Sequence, residues 1–216
     1  MRKIFVIRHG QDTDNVRGIL NGRRDTDLTD LGRQQALLAG KKLKKLSGSE
    51  KIDVVYVSPL KRCRQTAELI TQTASLPQPQ VMNKLIERDF GFFTGRPARE
   101  IRTLTDDYLI TDQVDYFLSG EGVEIFPEAY QRAVSVWEDL KKIEGRNILL
   151  VTHGDFGKML RASYYDWGWR RGLLMPYLAN TEIMVLEKTI WRSLINFLNY
   201  IKGLYLAKLS VNIKDK

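Results

Sequence analysis

With a single cysteine, Cys63, the 216-residue chain cannot close a disulfide within itself, and that usage suits a reducing compartment. Long apolar runs are missing as well: none approaches the roughly 20 residues needed to span a bilayer. The opening "MRKIFVIRHG" carries an apolar stretch too short for a signal-peptide core, and it lacks a cleavage site. A soluble, cytoplasmic protein is the expectation. Low-complexity segments and internal repeats are also lacking. The length fits one domain over 1–216, able to bury a core without staples and with room for an inserted cap.

Acidic residues are the scarcer charge, 26 Asp and Glu against 34 Lys and Arg, for a formal net charge of +8. A basic balance favours anionic partners: nucleic acid, a membrane surface or small phosphorylated molecules. The basic residues are dispersed, and the densest cluster, "GKKLKKL" at 40–46, reads as the solvated face of a helix. A small phosphorylated metabolite is therefore the expected partner, and nucleic acid and membrane are not. The aromatic, basic C-terminal stretch leaves room for contact with a second copy of the chain, a homodimer, although packing on its own core is favoured.

Scarcest of the chemically versatile residues is histidine, with two in the chain. His9 lies in "FVIRHGQDTDN" and His153 in "NILLVTHGD", and each ends an apolar run and precedes a glycine. The run "KIFVI" (3–7) predicts a buried strand, as do "IDVVYVSP" (52–59) and "NILLVT" (147–152), with "VMNKLIE" (81–87) as another candidate. Between them, "LTDLGRQQALLAGKKLKKL" predicts a helix capped by Thr29, with Leu37, Gly40, Leu43 and Leu46 in its apolar period. "LKRCRQTAELITQTA" and "GDFGKMLRASYYDW" predict two more, and 96–142 reads as mainly helical with a break at "SGEG". "NTEIMVLEKTIWRSLINF" reads as a hairpin turning at Lys188–Thr189, followed by a short helix. Strands alternating with helices predict an α/β fold with a mostly parallel sheet covered on both faces.

Open α/β sheets bind ligands beyond the carboxyl ends of their strands. Arg8 and His9 follow the first strand, Arg62 lies in the helix after the second, and His153 follows the fourth. Gly10 and Gly154 would allow a close backbone approach or a sharp turn. Each piece alone has a bland reading: a structural histidine, a surface arginine, a turn glycine. Brought together, two guanidiniums around imidazoles repel a metal cation and suit phosphate oxygens. They also disfavour protonation of His9, leaving it free as a nucleophile toward phosphorus. A leaving alkoxide needs a proton, and Glu87 in "LIERDFGFFTG" is the leading donor, with Asp89 and Asp155 as competitors.

At these residues the chain resembles the histidine phosphatase superfamily, in its phosphoglycerate mutase-like branch. The matching stretches are "VIRHGQDTDN", "NGRRDTDLTDLGRQQA", "VVYVSPLKRCRQTA", "LIERDFGFFTG", "SGEG", "LVTHGD" and "LANTEIMVLE". The resemblance implies a three-layer α/β/α fold with a small helical cap, placed at about 96–130. It implies that His9 is the phosphorylated nucleophile, that Arg8, Asn15, Arg62 and His153 hold the phosphoryl group, and that Glu87 is the proton donor. It also places Gly22 in a loop lining the substrate pocket, and it implies neither metal nor cofactor. Two departures stand out: Asp12 where the family often has Thr, and Gly122 in "GEG" where "GES" is usual. "RDFGFFTGRP" lacks the longer insertion of the true mutases, which favours phosphomonoester hydrolysis over a phosphoglycerate mutase. Asp12 and Gly122 motivate a phospho-ligand binding module without turnover, and the presence of Arg8, His9, Arg62, Glu87 and His153 together speaks against it.

Overall fold

The computed structural model describes residues 2–47, 51–143 and 146–187. Its main sheet has the strand order β3-β2-β6-β1-β7. These strands are β1 (Ile4–Arg8), β2 (Val54–Val57), β3 (Gln80–Val81), β6 (Ile148–Thr152) and β7 (Ile183–Leu186). The pairings β1–β6, β6–β2 and β2–β3 are parallel, and β7 closes the β1 edge antiparallel.

Alternation along β1 shows why the central strands read as unbroken apolar runs. Ile4 and Val6 enter one core with Val54, Ile148 and Leu150, whereas Phe5 and Ile7 enter the other with Val55, Val57, Leu149 and Val151. Helices α5 (Phe126–Lys141), α6 (Gly154–Tyr164) and α7 (Trp169–Leu173) cover the first face. Helices α2 (Asp30–Ser47) and α3 (Lys61–Ala74) cover the second. Three layers result. The remaining helices are α1 (Thr13–Arg17) and α4 (Ile101–Leu104), and β4 (Tyr108–Ile110) pairs antiparallel with β5 (Asp115–Phe117).

Several expectations change. The "VMNKLIE" segment is a strand only to Val81, then a 3₁₀ turn over Asn83–Leu85. There Leu85 is buried and its carbonyl accepts from Thr152 Oγ1 at 2.8 Å, anchoring the turn at the end of β6. The stretch 96–142 is helical in α4 and α5 but holds the β4–β5 hairpin between them. Thr111 turns that hairpin, its hydroxyl accepting from Val114 N at 3.1 Å. Of the segment expected to form a hairpin turning at Lys188–Thr189 with a short helix after it, β7 is a strand, and the turn, the second half and the helix lie outside the described residues.

In α2, Thr29 Oγ1 accepts from Gly32 N at 3.0 Å, the expected N-cap. The buried stripe, however, is Gly32, Ala36, Ala39, Gly40 and Leu43, whereas Leu37 and Leu46 are exposed. Small residues let the helix approach closely: a Cβ on Gly40 would stand 2.7 Å from Thr73 Cβ on α3. Gly32 is tighter still, because a Cβ there would collide with the Gln11 carbonyl just after the first His-Gly pair. Helix propensity alone makes Gly32→Ala stabilising by about 1 kcal/mol. A backbone carbonyl cannot rotate aside, so the sign reverses. Urea denaturation of Gly32→Ala is expected to show a net loss of about 1–3 kcal/mol.

Candidate active site

Strand register brings the two histidines together. Arg8 on β1 pairs with Thr152 on β6, so His9 and His153 leave neighbouring strands side by side, ring centroids 5.3 Å apart. Val57 on β2 pairs with Val151, which puts Ser58 and the start of α3 at the same sheet end. The glycines after the histidines meet protein: a Cβ on Gly10 would strike the Gly32 carbonyl, and one on Gly154 the Tyr177 hydroxyl.

His9 is buried, and its Nδ1 lies 2.8 Å from its neighbour's acceptor, Gly10 O. A carbonyl can only accept, so Nδ1 carries the proton and Nε2 keeps its lone pair. Arg62 Nε donates to that Nε2 at 3.2 Å. Burial first, then Arg62 and Arg8, hold His9 well below its ordinary 6.5. Arg62 is fully buried, its Nη1 donating to Arg24 O at 2.7 Å and its Nη2 to Gly22 O at 2.8 Å. Gly22 thus reaches the site by positioning Arg62, from a left-handed φ of +48° with a phenyl ring, Phe90, where a Cβ would go.

His153 is also buried and held well below its ordinary value, by burial first and then by Arg62, His9 and Arg8. Its Nε2 is 2.7 Å from Ser58 Oγ and 3.4 Å from Cys63 Sγ. Burial pushes the Cys63 thiol upward, so it stays protonated.

Glu87 follows the 3₁₀ turn and lies against the start of α6. Its carboxylate accepts from Arg88 N and Phe156 N, each at 2.9 Å, and from Asp155 N at 3.3 Å. Burial, with Asp155 next, nevertheless raises Glu87 above its ordinary 4.5. The competitors are engaged elsewhere. Asp155 pairs with Arg88 at 3.0 Å, and Arg88 is packed among Phe90, Phe117 and Phe126. Asp89 pairs with Arg23 near the surface at 3.0 Å.

Arg8 donates from Nη1 to Leu178 O at 2.9 Å, while its buried Nε has no hydrogen-bond partner among the described residues. Asn15 is drawn in by Asn180, whose Nδ2 donates to Asn15 Oδ1 at 3.2 Å and to His9 O at 2.9 Å. All seven residues expected at the site therefore lie in one neighbourhood.

Sequence reading missed four members of it: Asn180; Ser58; Thr66, which accepts from Gly10 N at 3.0 Å; and the pairing of Asp12. Asn180 stands in "LANTE", and Ser58 and Thr66 in "SPLKRCRQTA", so their signal was motif membership rather than chemistry. Asp12 is fully buried, with Oδ2 3.4 Å from Arg62 Nε and 3.9 Å from His9 Nδ1.

Residues 4–199 match the sequence model of the histidine phosphatase superfamily (branch 1). The 2,3-bisphosphoglycerate-dependent phosphoglycerate mutase of Bartonella bacilliformis is 38% identical over 165 residues, 71% of this chain and 77% of its own. The metal-independent phosphoserine phosphatase of Arabidopsis thaliana is 31% identical over 166 residues, 75% of this chain and 67% of its own. Among solved structures, Bacillus stearothermophilus YhfR superimposes with a TM-score of 0.73 at 26% identity, covering 88% of this chain and 93% of its own. A mycobacterial glucosyl-3-phosphoglycerate phosphatase shares the fold, with a TM-score of 0.73 at 23% identity, covering 87% and 93%. The match runs through both strand-end histidines and the arginine between them: this chain belongs to the histidine phosphatase superfamily, branch 1, and is a phosphomonoester hydrolase.

Proposed function

We propose that the enzyme hydrolyses small cytoplasmic phosphomonoesters in two in-line transfers through His9 Nε2. One observation carries this reading: the Nδ1 proton is tied to Gly10 O, which leaves a neutral Nε2 lone pair beside a buried guanidinium. Nε2 attacks phosphorus as the ester P–O bond breaks, and Glu87 gives its proton to the departing alkoxide. Arg62 shifts its donation from Nε2 to the phosphoryl oxygens. Arg8 Nε, Asn15 and His153 complete the cradle, which stabilises charge on the transferring group. Water then loses a proton to the Glu87 carboxylate and attacks phosphorus, the P–N bond breaks, and inorganic phosphate leaves. Glu87 ends protonated, ready for the next cycle.

The whole chain acts as one domain in which 96–130 caps the site. The cap is tied down where Lys158 Nζ donates to Tyr116 OH at 2.7 Å, and burial lowers Lys158 to about 8. Around that cap Arg23, Arg102 and Arg132 are each paired with a carboxylate, which favours a substrate with one phosphate rather than two.

The test is product analysis with EDTA present. A panel of phosphorylated metabolites is expected to release inorganic phosphate at a rate unchanged by the chelator. Given 3-phosphoglycerate, the enzyme is expected to yield glycerate and phosphate. Formation of 2-phosphoglycerate, stimulated by 2,3-bisphosphoglycerate, would overturn hydrolysis in favour of mutase activity.

A further inference from the structure

Asp12 occupies a position where the fold tolerates no idle charge. It is the N-cap of α1, with Oδ1 accepting from Asn15 N at 2.7 Å. Its other oxygen, Oδ2, accepts from Asn21 Nδ2 at 2.6 Å and faces Arg62 Nε and His9 Nδ1. Burial raises Asp12 above its ordinary 3.8, and the Asn15 N–H, Arg62 and the Thr26 hydroxyl act against it in favour of the carboxylate. Both oxygens are pinned, so the group cannot swing away when a second anion arrives. Arg62 has its Nη1 and Nη2 on backbone carbonyls, and its Nε is shared between His9 Nε2 and the Asp12 carboxylate.

We propose that Asp12 is a positioning residue that sets the charge of the phosphoryl site in two opposed ways. It weakens binding of the phosphate dianion by standing on the same guanidinium, and it steadies the His9 ring as that ring becomes cationic. When Nε2 bonds to phosphorus while Nδ1 keeps its proton, the ring gains a positive charge that Arg8 and Arg62 both oppose. Glu87 enters this step as a neutral acid and turns anionic only as the leaving oxygen takes its proton, so Asp12, 3.9 Å from Nδ1, is the carboxylate already beside the ring as its charge begins to develop. Repelling the ground-state dianion while favouring the charge that develops in the transition state is the differential interaction that raises turnover. The same repulsion speeds release of inorganic phosphate, the final product. This inference rests on the reading of His9 as the phosphorylated nucleophile.

Two variants test it. Asp12→Thr keeps a side-chain oxygen for the helix cap, and Asp12→Asn keeps the size. Titration calorimetry with inorganic phosphate, at about pH 8, reads binding without turnover. Both variants are expected to bind phosphate about tenfold more tightly, the order expected when one buried like charge is removed. Single-turnover quench with p-nitrophenyl phosphate is expected to show His9 phosphorylation slowed about tenfold, so that KM and kcat fall together. A merely structural role would weaken phosphate binding and lower Tm. Phosphate affinity unchanged or reduced in both variants overturns the proposal. If instead the unmodified enzyme forms no acid-labile phosphate in the same quench, the nucleophile reading itself has failed.

Discussion

A His9→Ala enzyme is expected to lose hydrolysis by a factor on the order of 10⁴ or more, together with all acid-labile phosphate on the protein. Losing the imidazole removes the atom that forms the covalent bond, and no nearby group replaces it. The rival that geometry offers is Ser58, whose hydroxyl lies 2.7 Å from His153 Nε2, the arrangement of an activated serine. Ser58 is completely buried, and Leu60 N donates to its oxygen at 3.4 Å, so it serves to orient His153. Cys63 is held as a thiol by burial and is equally enclosed. The chemistry of the intermediate separates the cases: phosphohistidine is cleaved by acid, whereas phosphoserine survives it. Quenching the unmodified enzyme in acid and in alkali during turnover, alongside His9→Ala, reads both. Acid-stable label that persists in His9→Ala would transfer the nucleophile's role to Ser58. The substitution should leave the fold intact, because Arg62 keeps its Gly22, Arg24 and Asp12 partners.

The part of the molecule legible in the sequence is the part where one physical cause acts alone. β1 and β6 are buried on both faces, so they appear as apolar runs, and their abrupt ends mark the sheet edge where His9 and His153 meet. Arg62 could be placed because Ser58-Pro59 ends the second run and the next helical turn must begin there. The β4–β5 hairpin was not legible, since each strand has three residues and consecutive Tyr116 and Phe117 are both buried, hiding the alternation. Tyr116 packs into the main core and Phe117 stacks against Phe93 in a separate small cluster, a division that only tertiary structure creates. The stripe of α2 was misread for a related reason. Leucine is read as core, yet the close approach to α3 selects glycine and alanine and leaves Leu37 and Leu46 outside. Asp12 was visible only as a departure from the family pattern, because its meaning lies in Arg62, fifty positions farther along.

Replacing Glu87 by glutamine is expected to cost about 10²–10⁴-fold in hydrolysis of alkyl phosphates, the usual contribution of a general acid. The protonation states show why this carboxyl suits the task. Catalysis needs His9 neutral and Glu87 protonated at the same time. With the ordinary values of 6.5 and 4.5, that combination would peak at about one per cent of the enzyme, because histidine gains its proton before glutamate does. The site moves the two in opposite directions: burial and two arginines lower His9, while burial and Asp155 raise Glu87. Shifts in these directions enlarge the fraction of enzyme in the active pairing. The acid limb of kcat/KM then belongs to His9 and falls below pH 6.5, and the alkaline limb belongs to Glu87 and lies above 4.5. Glu87→Gln should retain the acid limb and lose the alkaline one. p-Nitrophenyl phosphate, whose leaving group is stable as an anion, needs no proton for the first transfer but still needs a base for the second. The variant is therefore expected to release one equivalent of p-nitrophenolate in a burst and then turn over slowly, with phosphohistidine accumulated. Equal losses with alkyl and aryl substrates and no burst would show that another group moves the proton, and Asp155→Asn would then be the variant to measure.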